Sequence, residues 1–257
     1  KGELTGKKVY EKYPNKFPLL IKYLDVNDRL SIQVHPSDEV ALKKHNEFGK
    51  SESWYIMEAS DDATLIMGMK PGITKEKFLE KVEKNDFDGL FEEKTVKKGD
   101  FIDITPGTVH ASLKGSVLFA EVQQNSDVTY RIYDFDRIDE NGKKRELHLQ
   151  DSADVIDFGK EVEIKNTDFN GSDNGEDILR KHIIEKEYYS IDKVKFTDFF
   201  EDVNNESMTI YSILEGEGKI VWGENEELPV KKGETVLIPV GINTKTIGNF
   251  EILRTII

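Results

Sequence analysis

The 257-residue chain carries 50 acidic and 36 basic side chains, a net charge of −14. That balance argues against general nucleic-acid or anionic-membrane binding, which needs a basic face, and no run approaches the roughly 18 apolar residues of a membrane span. Hydrophobic residues make up 37% of the chain, enough for packed cores in one large or two modest domains. Cysteine is absent, so disulfides are excluded and any metal site must use nitrogen and oxygen donors. The residues from Lys1 to Gly6 form no apolar signal region, and a cytoplasmic location is the expectation.

Taken in chain order, the N-terminal half reads as short β runs punctuated by turns. Strands are predicted at Phe17–Leu24 and Leu30–His35. Two more, at Glu52–Glu58 and Ala63–Met69, flank Ala59–Asp62, which looks like a hairpin loop. Thr74–Lys84 breaks the pattern: Thr74 is a candidate N-cap, and Phe78, Leu79 and Val82 form an apolar stripe, so an exposed helix is expected. Strands resume at Thr95–Lys98, Phe101–Ile104 and Ser116–Gln123. A second helix is predicted over Glu146–Phe158 and a loop between domains over Lys160–Asp177. Strands return from His182 to the end.

Four residues stand out chemically: Gln33, His35, Glu52 and His110. Gln33 and His35 are two apart, so an extended chain points both to one face. Glu52 and His110 begin or end other predicted strands. Two imidazoles, a carboxylate and an amide oxygen suit a borderline divalent ion such as Zn²⁺ and leave room for water or substrate. Spacing alone leaves a purely structural role open, because many strands carry alternating polar residues.

A faint internal repeat links Val96–Gly107 (VKKGDFIDITPG) with Val230–Gly241 (VKKGETVLIPVG). A hairpin-like segment, Lys-Gly-Asp/Glu, an apolar strand and a proline, in that order, resemble the cupin jelly roll. Counted from each proline, His110 aligns with Asn243, which predicts a second copy without a metal histidine. The expected class is therefore mainly β, two cupin-type jelly rolls with a few short helices. The expected division is a metal-binding catalytic domain over 1–158 and a smaller, metal-free domain over 159–257.

The segments Leu30–Pro36 (LSIQVHP), Gly49–Tyr55 (GKSESWY), Pro106–Ala111 (PGTVHA) and Gln123–Asp134 (QQNSDVTYRIYD) resemble type I mannose-6-phosphate isomerase in its short bacterial form. The match runs in order from about Phe17 to Arg137. Short members usually carry further strands and a Trp-Gly-Gly segment ahead of the position of Lys1, where this sequence begins. The resemblance implies one Zn²⁺ per chain on Gln33, His35, Glu52 and His110, and reversible conversion of mannose 6-phosphate to fructose 6-phosphate. It implies catalytic roles for Arg131 and Lys50, and places Lys22, Ser31, Glu121, Asp127 and Arg137 near the sugar phosphate.

The chemistry agrees. Aldose–ketose isomerisation through an enediolate needs positive charge beside the developing oxyanion and a group to shuttle the proton, and a phosphate dianion needs its own cations. The base is not readable from the sequence. His45, His148 and His182 lack a ligand-like partner at short spacing and read as surface or structural. Two other classes compete: an Fe²⁺ cupin oxygenase, against which Gln33 in place of a histidine argues, and a non-catalytic sugar-phosphate-binding or sensing protein.

Overall fold

The computed structural model describes residues 2–138, 140, 142–169 and 177–257. The chain divides into two units, one spanning Leu19–Asn166 and the other Lys1–Pro18 with Thr167–Ile257. The units are drawn differently from the expected division at 158/159. The first residues, α1 (Gly2–Thr5) and α2 (Lys7–Lys12), belong with the C-terminal part. Backbone hydrogen bonds from Met208 N to Thr5 O (3.1 Å) and from Val240 N to Leu4 O (3.1 Å) tie them there. Among the described residues, no helix is long and apolar enough to cross a membrane.

The unit over 19–166 is built from ten strands and three helices. In order these are β1 (Leu19–Val26), β2 (Ile32–Val34), α3 (Asp38–His45), β3 (Glu52–Ala59), β4 (Thr64–Met69) and α4 (Lys75–Glu83). There follow β5 (Phe91–Thr95), β6 (Asp100–Ile104), β7 (His110–Lys114), β8 (Val117–Gln124), β9 (Tyr130–Tyr133), α5 (Leu149–Val155) and β10 (Ile164–Asn166). They form two five-stranded antiparallel sheets, ordered β1-β8-β3-β6-β10 and β5-β4-β7-β2-β9.

Side-chain alternation decides what each sheet face does. Trp54, Ile56, Ile102, Ile104 and Phe119 from the first sheet meet Leu65 and Met67 from the second in one buried cluster. The opposite face of the second sheet, with Ile32, Val34, Ile66, Ala111, Tyr130 and Ile132, packs under Phe78 and Val82 of α4 and Ala153 of α5. The apolar stripe expected on the first helix is therefore its buried side, and Thr74 caps it, its hydroxyl accepting from Lys77 N (3.3 Å).

Three sequence expectations differ from the structure. The loop at 59–62 is not a hairpin. β3 already has β8 and β6 as neighbours and β4 has β5 and β7, so the loop carries the chain from one sheet to the other. The strand expected at 95–98 lies at 91–95, because Lys97–Asp100 is a turn in which Lys97 N donates to Asp100 Oδ2 (2.9 Å). The predicted loop over 160–177 contains the short strand β10; its segment 170–176 lies outside the described residues.

The C-terminal part carries β11 (Ile178–Glu185), β12 (Ser190–Phe196), β13 (Phe199–Asp202), β14 (Thr209–Trp222), β15 (Glu226–Lys231), β16 (Thr235–Ile238) and β17 (Thr244–Ile256) in one seven-stranded sheet. Its core gathers Val194, Phe196, Tyr211, Ile213, Phe250 and Ile252.

The internal repeat is structural. The turn ahead of β6 recurs ahead of β16, where Lys231 N donates to Glu234 Oε2 (2.9 Å) and Gly233 repeats the positive φ of Gly99. The next turn recurs too, with Thr108 N donating to Thr105 O and Ile242 N to Pro239 O. Strand registers then fix the counterparts. The row Lys22–Glu121–Trp54–Ile102 across β1, β8, β3 and β6 matches Asp192–Arg254–Tyr211–Val236 across β12, β17, β14 and β16. The ion pair in that row has its signs reversed.

Gln33 faces His110 as Asp202 faces Thr244. The counterpart of His110 is therefore Thr244, not Asn243. The glycines Gly107 and Gly241 set the register, and the prolines sit one place apart relative to them. By the same registers His35 corresponds to Asn204 and Glu52 to Thr209. Asn204 Nδ2 donates to Thr209 Oγ1 (3.0 Å). Asp202 accepts two bonds from Arg254, at 2.6 and 2.9 Å, and one from the Tyr211 hydroxyl at 2.7 Å.

Arg254 is 5% exposed, and breaking one side of a buried ion pair typically costs about 3–5 kcal/mol. Arg254→Met should lower stability by that order, read as a fall in the urea midpoint. Arg254→Met with Asp202→Leu should recover much of the loss, because no buried charge is then left alone.

Candidate metal and substrate site

Two strand starts and one strand end deliver the central donors. His35 follows β2, Glu52 opens β3 and His110 opens β7; they are 1%, 1% and 0% exposed. One ligand atom from each lies within 4.8 Å of the others. His110 Nε2 is 3.1 Å from Glu52 Oε1, and His35 Nε2 is 3.5 Å from Glu52 Oε2.

The second nitrogen of each ring fixes what these contacts mean. His35 Nδ1 lies 3.1 Å from Val128 O, and His110 Nδ1 lies 3.0 Å from Thr108 O. A carbonyl only accepts, so each Nδ1 carries a proton, and in the neutral ring that a metal binds each Nε2 presents its lone pair. In that form two lone pairs face one carboxylate, an arrangement that a cation between them satisfies. Donors bound to one small ion at about 2.0–2.2 Å sit about 3–3.5 Å from one another, as the two histidine–carboxylate contacts, at 3.1 and 3.5 Å, do. The set fits a divalent metal, and the backbone carbonyls supply the outer hydrogen bonds that orient metal-binding imidazoles.

Charges around the cluster agree. Burial favours a neutral Glu52, but the opposing charges, with Lys50 the largest of them and its Nζ 2.9 Å from Oε2, hold its carboxyl well below the usual range. Burial first, and then the Lys50 charge, hold the His35 imidazole well below its ordinary value, in the neutral form a metal requires. Lys50 is itself buried, its Nζ 2.9 Å from Glu52 Oε2 and 3.2 Å from His35 Nε2.

Gln33 occupies a row that continues this site. Across the second sheet Arg131 on β9, Gln33 on β2 and His110 on β7 are direct partners, so all three side chains leave the same face. Arg131 Nη1 donates to Glu146 O (3.1 Å), while its buried Nε has no hydrogen-bond partner among the described residues. Burial, then the charge of Arg145, lower the Arg131 pKa.

The remaining sequence candidates divide. Glu121 is buried and accepts from Lys22 Nζ at 2.8 Å; burial and then the Glu52 charge raise its pKa. Asp127 is exposed, yet close enough to act on Lys50. Ser31 is buried just ahead of β2 and has no side-chain hydrogen bond among the described residues. Arg137 donates to Arg29 O (2.8 Å) and pairs with Asp134.

Arg145 was missed by sequence reasoning. It also binds Asp134, 2.7 Å from Nε to Oδ2, and joins Arg131 and Arg137 in a cluster of guanidinium groups. The signal for it was the basic run Lys143-Lys144-Arg145 in an acidic chain. One buried carboxylate serving two guanidiniums leaves net positive charge, as an anion site needs.

Comparison with known proteins extends over most of the chain. Residues 1–65 match the phosphomannose isomerase type I catalytic domain, and residues 179–257 match the mannose-6-phosphate isomerase cupin domain. The sequence is 41% identical over 242 residues to mannose-6-phosphate isomerase ManA of Bacillus subtilis, covering 94% of this chain and 72% of that protein. It is 35% identical over 240 residues to the mannose-6-phosphate isomerase of Streptococcus mutans, covering 93% and 74%. The crystal structure of the mannose 6-phosphate isomerase from Bacillus subtilis superimposes with a TM-score of 0.85 at 32% identity, covering 97% of this chain and 81% of that one.

The cluster predicts stoichiometric metal binding. Elemental analysis of the purified chain should find about one divalent ion, and His110→Ala or Glu52→Gln should bring it close to zero. Because an ion bound at 100 times its dissociation constant adds about 2.7 kcal/mol of stability, chelation should lower the melting temperature of the parent and leave that of His110→Ala unmoved.

Proposed function

Because the chain belongs to the type I mannose-6-phosphate isomerase family, we propose that it interconverts mannose 6-phosphate and fructose 6-phosphate at the His35–Glu52–His110 centre. The observation that carries the reading is the row Arg131–Gln33–His110, which sets an arginine with an unpartnered Nε on the same sheet face as the cation site.

The donor set favours Zn²⁺, held by Gln33, His35, Glu52 and His110. A bound divalent ion supplies Lewis-acid polarisation of the sugar oxygens. The rest falls to the side chains. In the conversion a general base takes the C2 proton of the open-chain aldose to give an enediolate and delivers a proton to C1, while the O2 hydroxyl proton passes to O1. Negative charge grows on the oxygens as C2–H breaks. Arg131, its buried Nε free to donate, meets that charge.

Lys50 adds a second fixed cation beside the metal ligands. Arg137, with Arg145, supplies guanidinium groups for the phosphate dianion, and Lys22 is held in place by Glu121. Ser31, Glu121 and Asp127 take substrate-binding roles on the family pattern. Dioxygen chemistry has less support, because an amide at Gln33 replaces a histidine and several cations surround the centre.

A coupled assay of mannose 6-phosphate turnover tests the reading. Activity should vanish with a chelator and return with Zn²⁺; absence of turnover by the metal-loaded chain would make it a sugar-phosphate-binding protein instead. Arg131→Ala should lower kcat roughly 10²–10³-fold with KM and metal content nearly unchanged, since the charge it meets belongs to the transition state. Arg137→Ala should act chiefly on KM. A normal kcat for Arg131→Ala would make Arg131 a binding residue.

A further inference from the structure

β9 is the edge strand of its sheet, with β2 on one side only. An edge strand leaves every second residue's N–H and C=O facing outward, and such a segment is held less firmly than a central one. Arg131 is one of these residues. Both of its outward backbone groups are taken by a single residue, His148. Arg131 N donates to His148 Nδ1 (3.2 Å), and His148 N donates to Arg131 O (2.7 Å). Two residues earlier, Glu146 O accepts from Arg131 Nη1 (3.1 Å). Three hydrogen bonds from one three-residue segment thus fix the backbone and the side chain of Arg131.

His148 is itself anchored. Its carbonyl accepts from Ser152 N (2.8 Å) and it leads directly into α5. The buried Ala153 of α5 belongs to the core cluster under the second sheet. To accept from Arg131, Nδ1 must carry no proton, so the ring is the tautomer with hydrogen on Nε2.

We propose that His148 is a positioning residue for Arg131, setting the edge strand from outside so that the guanidinium meets the reacting sugar oxygens at the right place. This rests on the proposed role of Arg131 and extends it to a residue that does not touch substrate. Misplacement by about 1 Å can cost about 100-fold in rate, so a backbone clamp matters even far from the chemistry.

The test uses the full, metal-loaded chain and mannose 6-phosphate. His148→Ala should lower kcat roughly 10- to 100-fold with KM and bound metal little changed. His148→Asn, whose Oδ1 takes the place of Nδ1 as acceptor, should recover most of that loss. In an Arg131→Ala background, His148→Ala should change kcat less than about twofold, since the residue it serves is gone. Should His148→Ala fail to fold, His148→Gln, whose acceptor lies one bond further out, serves in its place.

Equal losses for the Ala (or Gln) and Asn variants, a loss that persists in the Arg131→Ala background, or a rise in KM with kcat kept would each overturn the inference while leaving Arg131 in its role. A normal kcat for Arg131→Ala alone would overturn the role of Arg131 itself, and that of His148 with it.

Discussion

A carboxylate that is 1% exposed must be met by positive charge or become neutral, and the arrangement around Glu52 follows from that requirement. Two imidazoles, their Nδ1 atoms committed to carbonyls, turn Nε2 toward it, and an ammonium approaches one of its oxygens. The surrounding backbone is tied together to hold this convergence. Gly107 N donates to His35 O (2.9 Å), linking the turn that delivers one histidine to the strand end that delivers the other. Gly107 has φ +84°, and a Cβ there would lie 2.9 Å from Val155 O at the end of α5. Only glycine fits, so the helix on the outer face and the donors on the inner face share one hinge-free junction.

Much of this site could be read from residue types and short spacing. Gln33 and His35 announce a shared face because strand alternation is a local rule, and Glu52 and His110 sit at strand starts that turn residues mark. The jelly-roll class was likewise legible from repeated short strands. What escaped was set by distant partners. Nothing in the order of Glu52–Ala59 and Thr64–Met69 tells whether the two strands pair with each other or with others, and here each already has two neighbours. Arg145 owes its place to Asp134, eleven residues earlier. His148 has no chemically suggestive neighbour in sequence; its partner is the backbone of Arg131, seventeen positions away, and backbone groups leave no trace in residue identity.

The alignment of the two copies shows which local signals carry register. Proline attracts the eye, but Pro106 and Pro239 occupy different places in their turns. The glycines, with positive φ at Gly107 (84°) and Gly241 (77°), occupy the same one. A left-handed backbone position is a stricter constraint than a fixed φ of about −65°, which many residues adopt. Counting from the glycine moves the counterpart of His110 from Asn243 to Thr244, in agreement with the pairing of Asp202 with Thr244.

The sign reversal between Lys22–Glu121 and Asp192–Arg254 separates the two copies in where their positive charge comes from. In the C-terminal copy the charge facing Asp202 is encoded in the chain, arrives with translation, and cannot be diluted or competed away. In the other copy Lys50 is encoded in the chain, but the His35–Glu52–His110 cluster fits a divalent ion that would come from solution. A change in metal supply would then act on the His35–Glu52–His110 centre, whereas the Asp202–Arg254 pair asks nothing of the medium.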